Sequence, residues 1–132
     1  MAGHPGSLCA SMALVVVLFA ALFGVACSGA GSASVATVAG GDASRGVQRL
    51  TAYGCGSCHV ISGVRDANGA AAPALASFAF RNLIAGELTN TPEHLISWIM
   101  DPPSIEPGTT MPNLGVKVAD ARDMAAYLYT LR

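Results

Sequence analysis

"YGCGSCHV", residues 53–60, sets two cysteines two positions apart with a histidine directly after the second. Cys-x-x-Cys-His serves three chemistries: a redox dithiol, part of a zinc site, or covalent attachment of one haem through Cys55 and Cys58, with His59 under the iron. Each needs different partners elsewhere in the chain, so the surrounding residues discriminate between them.

Four cysteines occur, Cys9 and Cys27 in an apolar leader and Cys55 and Cys58 in the domain that follows. A structural zinc site takes four ligands, and beyond Cys55, Cys58 and His59 the domain offers only His94 as a further histidine. A thioredoxin-like dithiol follows a strand and opens a helix whose dipole lowers the thiol pKa. Here the motif follows a helical pattern instead. In "GDASRGVQRLTAYG" Asp42 is the N-cap candidate, Val47, Leu50 and Tyr53 share a face, and Gly54 stops the helix. No run of β-branched strands accompanies it. Haem attachment needs only what is present, and it staples a domain too small to bury a large core.

The chain has 132 residues and a formal charge of −1, which bounds it to one domain and excludes a nucleic-acid binder with a basic face. No Asp, Glu, Lys or Arg precedes Asp42. Within that stretch "MALVVVLFAALFGVAC", residues 12–27, has the length of a secretory h-region rather than of a membrane-spanning helix. Ala26-Cys27 resembles a bacterial lipobox, although Gly24 stands where Leu is usual and no basic residue precedes the apolar run. Residues 1–27 therefore read as a signal peptide, a lipoprotein-type leader or a retained anchor, with cleavage within 34–41 as a further route. "SGAGSASVATVAGG", residues 28–41, reads as a flexible linker spanning about 20 Å. Residues 42–132 read as the folded domain. The expected location is the periplasmic face of a bacterial inner membrane, anchored by lipid or leader, or the soluble periplasm.

An iron held by His59 takes a second axial donor, and Met100, Met111, Met124 and His94 are the candidates. Met124 lies on the amphipathic pattern "DARDMAAYLYTLR" and Met100 ends "TPEHLISWIM", both positions where Met fills a core. Thr91 and Pro92 open that second helix, Asp101-Pro102-Pro103 closes it, and His94 reads as a solvated residue of its first turn. Met111 sits in "EPGTTMPNLG", a helix-free stretch stiffened by flanking prolines, and is the preferred ligand.

Taken in order, "CGSCH", "APAL", "TPEHLISWIMDP", "PGTTMPNLG" and "DMAAYLYTL" resemble a class I cytochrome c over residues 42–132. Residues 90–131 are similar to the haem domain fused to subunit II of some bacterial haem-copper oxidases, and to small cytochromes associated with them. The resemblance implies an all-α fold in which N- and C-terminal helices cross beside one covalent haem c, with Gly46 at the crossing and Tyr127 packed over it. It implies that the Pro73 carbonyl accepts the His59 Nδ1–H, and that Trp98 and Arg81 meet the haem propionates. Trp98 reads equally as a core aromatic. Lys117 departs from the usual Ser or Thr cap of the last helix, and the ring of lysines of mitochondrial-type members is absent.

The function expected on this basis is electron transfer in a respiratory chain. A quinol-oxidising complex or dehydrogenase would be the donor and a membrane-bound terminal oxidase the acceptor. The alternatives are a haem-bearing subunit confined to an oxidase or dehydrogenase complex, and a haem-free thiol oxidoreductase.

Overall fold

The computed structural model describes residues 36–132. Residues 1–35, with the leader, Cys9, Cys27 and most of the expected linker, lie outside the described residues. Among the described residues four helices organise the fold: α1 (Ala43–Ala52), α2 (Pro92–Met100), the single turn α3 (Pro102–Ile105) and α4 (Val118–Leu128). Short 3₁₀ turns occupy Cys55–Ser57 and Phe78–Phe80, and β1 (Leu83–Ile84) pairs antiparallel with β2 (Leu88–Thr89).

Local chemistry sets the helix ends. Asp42 Oδ1 accepts the N–H groups of Ser44 and Arg45 at 2.8 and 3.0 Å, satisfying two orphan donors of α1. Thr91 Oγ1 accepts the His94 N–H at 3.3 Å, with Pro92 in the first position of α2, where its missing N–H costs nothing. Lys117 gives α4 no side-chain cap. Asp120 in the first turn supplies favourable charge instead. The prolines after Asp101 end α2 as the pattern requires, but they also start a new turn, because Pro is tolerated at the first helical positions.

α1 and α4 form the principal helix contact. A Cβ on Gly46 would lie 2.2 Å from the Asp123 carbonyl oxygen and 2.8 Å from the Tyr127 Cβ, so only glycine permits this approach. Leu50, Leu95, Ile99, Ala121, Met124 and Leu128 fill the core that α1, α2 and α4 share. Asp123 is 5 % exposed yet fully engaged. Its carboxylate accepts from the Asp42 N–H at 2.8 Å and from Arg45 Nε and Nη2 at 2.8 and 2.9 Å.

Two expectations need correction. The fold is mostly helical rather than all-α, because the chain reverses at Ile84–Glu87 with Ala85 and Gly86 both at positive φ (53° and 85°). Such a turn matches strand twist and favours a hairpin, and an alanine in that conformation gives little sign of it in sequence. Residues 36–41, read as the end of a linker, lie against the domain: Ala36 and Val38 pack on the core, and a Cβ on Gly41 would meet the Arg122 carbonyl oxygen at 2.6 Å.

Candidate functional site

After α1 the chain turns tightly through the cysteine motif. The N–H groups of Cys58 and His59 both donate to the Cys55 carbonyl, at 3.3 and 3.1 Å. Residues 69–75 run back alongside: Gly69 donates to Gly56 at 3.0 Å, Ala72 to Cys58 at 3.0 Å and Leu75 to Val60 at 2.8 Å. This lacing brings the Pro73 carbonyl to 2.7 Å from His59 Nδ1. A carbonyl oxygen can only accept, so Nδ1 carries the proton, and the lone pair of the neutral ring sits on Nε2. The histidine is thus oriented and set in the tautomer that binds a metal through Nε2.

Both thiols are free, Cys58 exposed and Cys55 partly buried. Burial pushes the Cys55 thiol up in pKa. A catalytic dithiol needs the opposite shift, and a three-residue 3₁₀ turn is no substitute for a long helix at its N-terminus. Nor do the surroundings assemble a zinc ligand set: among the described residues no three His, Cys, Asp or Glu side chains converge. His94 Nδ1–H likewise donates to a carbonyl, that of Thr89 at 2.8 Å, but no second or third ligand stands beside its ring among the described residues.

The three methionines among the described residues occupy distinct settings. Met124 is 1 % exposed in the core, on α4. Met100 packs at the end of α2. Met111 is half-buried, outside any helix or strand, with its N–H on Thr109 Oγ1 at 3.2 Å. Trp98 is buried on α2. Arg81 donates through Nη2 to the carbonyls of Ala74 and Ala76 and lies over the Phe78 ring, 5.5 Å from its centroid. Its Nε and Nη1 donors have no partner among the described residues. The sequence reading missed Asn113, whose side chain links the Met111 stretch to Asp101 at 2.9 Å. A polar residue between Pro112 and Gly115 was the available signal.

Two thiols on one turn, an imidazole with an oriented Nε2 and a thioether in a stretch free of helix fit a haem of the c type. Large apolar side chains left at the surface, among them Phe80 at 58 % exposure, suit an apolar prosthetic group.

The cytochrome c family model matches residues 43–132. The chain is 36 % identical over 91 residues to cytochrome c oxidase subunit 2 of Alkalihalophilus pseudofirmus, covering 68 % of this chain and 26 % of that protein. It is 33 % identical over 89 residues to the subunit 2 of Bacillus subtilis, covering 66 % and 25 %. Against that of Bacillus sp. PS3 the identity is 41 % over 59 residues, covering 43 % and 17 %. The chain thus spans about a quarter or less of the length of these curated relatives. No solved structure matches it.

Proposed function

Because this chain belongs to the cytochrome c family, we propose that it is a single-haem electron carrier working with a terminal haem-copper oxidase of a bacterial respiratory chain. Cys55 and Cys58 would hold the haem through their sulfurs, as thioethers to its two vinyl groups. His59 Nε2 and the Met111 sulfur would be its iron ligands. Arg81, through its unused Nε and Nη1, and Trp98 would meet its propionates. When bound, the haem supplies a one-electron iron couple.

The residues suit carrying rather than bond chemistry. Two protein donors would leave a bound iron no position for a substrate, a thioether donor would favour its reduced state, and an apolar setting would disfavour the extra charge of the oxidised one. The Pro73 carbonyl fixes the His59 ring, so this ligand needs no rearrangement between redox states. The His59–Pro73 hydrogen bond at 2.7 Å beside two free cysteines is the observation that carries the reading.

A second reading, a haem-bearing subunit of an oxidase complex, is favoured by the kinship with subunit 2 chains. Stable co-purification with an oxidase selects it over a free carrier. The donor is a quinol-oxidising complex or dehydrogenase, and the setting is the periplasmic face of the inner membrane, with the leader or a lipid on Cys27 as tether.

The test is the covalent bond. Protein matured in a host that attaches c-type haem should keep one haem through denaturation and acid-acetone extraction, and Cys55→Ala/Cys58→Ala should lose it. Haem that extracts from the unaltered protein contradicts the proposal.

A further inference from the structure

Residues 110–116 include Met111, yet among the described residues none of them takes part in a backbone–backbone hydrogen bond. Two of their polar contacts are local. The Met111 N–H reaches Thr109 Oγ1, and the Gly115 N–H reaches Asn113 Oδ1 at 2.8 Å. One hydrogen bond alone ties the stretch to a distant part of the described fold: Asn113 Nδ2 donates to Asp101 Oδ1 at 2.9 Å.

The two ends of that bond differ in rigidity. Asp101 sits at the corner between α2 and α3, where its N–H donates to the Ser97 carbonyl at 3.1 Å and its own carbonyl accepts from Ser104 Oγ at 2.8 Å. It is a fixed post. Asn113 spends its amide in both directions, Nδ2 toward the post and Oδ1 toward Gly115, so one side chain braces the turn after Met111 and moors it. Pro112 has no N–H and cannot share this task. Val116 adds a buried apolar anchor, but dispersion contacts do not fix register as a directed amide–carboxylate bond does.

We propose that Asn113 is a positioning residue for the Met111 ligand: moored to Asp101, it keeps the thioether at the iron and closes that face to outside ligands. The inference rests on the reading of Met111 as the axial donor. Asn113 touches no reacting atom and acts through the loop. Without the mooring the sulfur leaves more often, and an external donor enters in its place.

The experiment is imidazole binding to the oxidised, haem-loaded protein, timed by the absorbance change, beside amide hydrogen exchange across residues 113–117. Losing one charge-assisted hydrogen bond from the closed loop should speed binding roughly five- to tenfold in Asn113→Ala. Exchange at Gly115 should rise with it. Asp101→Ala should reproduce the effect, the double variant should add little, and Asp101→Asn, which keeps an oxygen acceptor, should restore the slow rate. Met111→Ala should bind fastest of all. Equal rates in the unaltered protein and Asn113→Ala, with Met111→Ala fast, overturn the mooring alone. An unaltered protein as fast as Met111→Ala overturns the ligand assignment and the mooring with it.

Discussion

The helix pair α1–α4 and the Met111 stretch are held in opposite ways. Between the helices, Gly46 brings the two backbones together, Asp123 takes three hydrogen bonds from Asp42 and Arg45, and Tyr53 OH donates to Asp120 at 2.9 Å. Arg49 Nε adds a second ion pair with Asp120 at 2.9 Å. Among the described residues, 110–116 have one long-range hydrogen bond and one buried anchor. The difference separates two tasks. The helix pair determines whether the domain folds, whereas under the proposed assignment the Met111 stretch governs what the folded domain binds and releases. A region with few directed bonds opens at low free energy, which suits a ligand whose donor atom must be held from outside the helices.

Gly46→Val strikes hardest at the first task. Its side chain would need space already taken by the Asp123 carbonyl and Tyr127 Cβ, so the helices must part. A loss of roughly 3 kcal/mol or more is expected from thermal or denaturant unfolding, a large share of the stability of a domain this size. A Gly46→Val protein that melts with the unaltered one would break the comparison at its stronger side.

Asp123→Ala comes next, at roughly 2 kcal/mol, because the Arg45 guanidinium and the Asp42 N–H both lose their acceptor. This site also has a pH signature. Hydrogen bonds from Arg45 hold the Asp123 carboxyl below the usual carboxylate range. Its stabilisation is therefore complete above the unfolded-state value of about 4 and is lost as pH falls through the lower folded-state value. Acid unfolding curves for Asp123→Asn should be flatter than those of the unaltered protein in that window. Identical curves would show that the pair contributes nothing. Tyr127→Phe, which removes the hydrogen bond to the Ser62 carbonyl at 2.5 Å, should cost about 1 kcal/mol. The smallest change in global stability, under about 1 kcal/mol, belongs to Asn113→Ala, since its loop opens without unfolding the helices. A larger loss there would mean that the two regions form one cooperative unit.

Much of this division was legible in the sequence where a local rule and a tertiary demand agree. Asp42, Thr91 and Pro92 announce helix starts by chemistry that acts within three residues, and all three do so in the structure. The family resemblance implied a small residue where the terminal helices meet, and at Gly46 the two backbones do approach closely. The prolines around Met111 mark a stretch without helix. What escaped depends on groups far apart in sequence. An aspartate on α4 looks solvated until Arg45, 78 positions earlier, is seen to cover it. Ala85 gives no warning of a positive φ. The packing of Ala36 and Val38 depends on a surface provided by the far end of the chain, so composition alone read them as linker. Asn113 escaped because its partner Asp101 was read only as part of a helix stop.

The most direct test is the long-wavelength charge-transfer band that methionine sulfur gives with oxidised haem iron. Oxidised protein should show it, Met111→Ala should lose it together with a fall in reduction potential, and Met100→Ala and Met124→Ala should keep it. Persistence of the band in Met111→Ala, or its loss in Met100→Ala alone, would contradict the account.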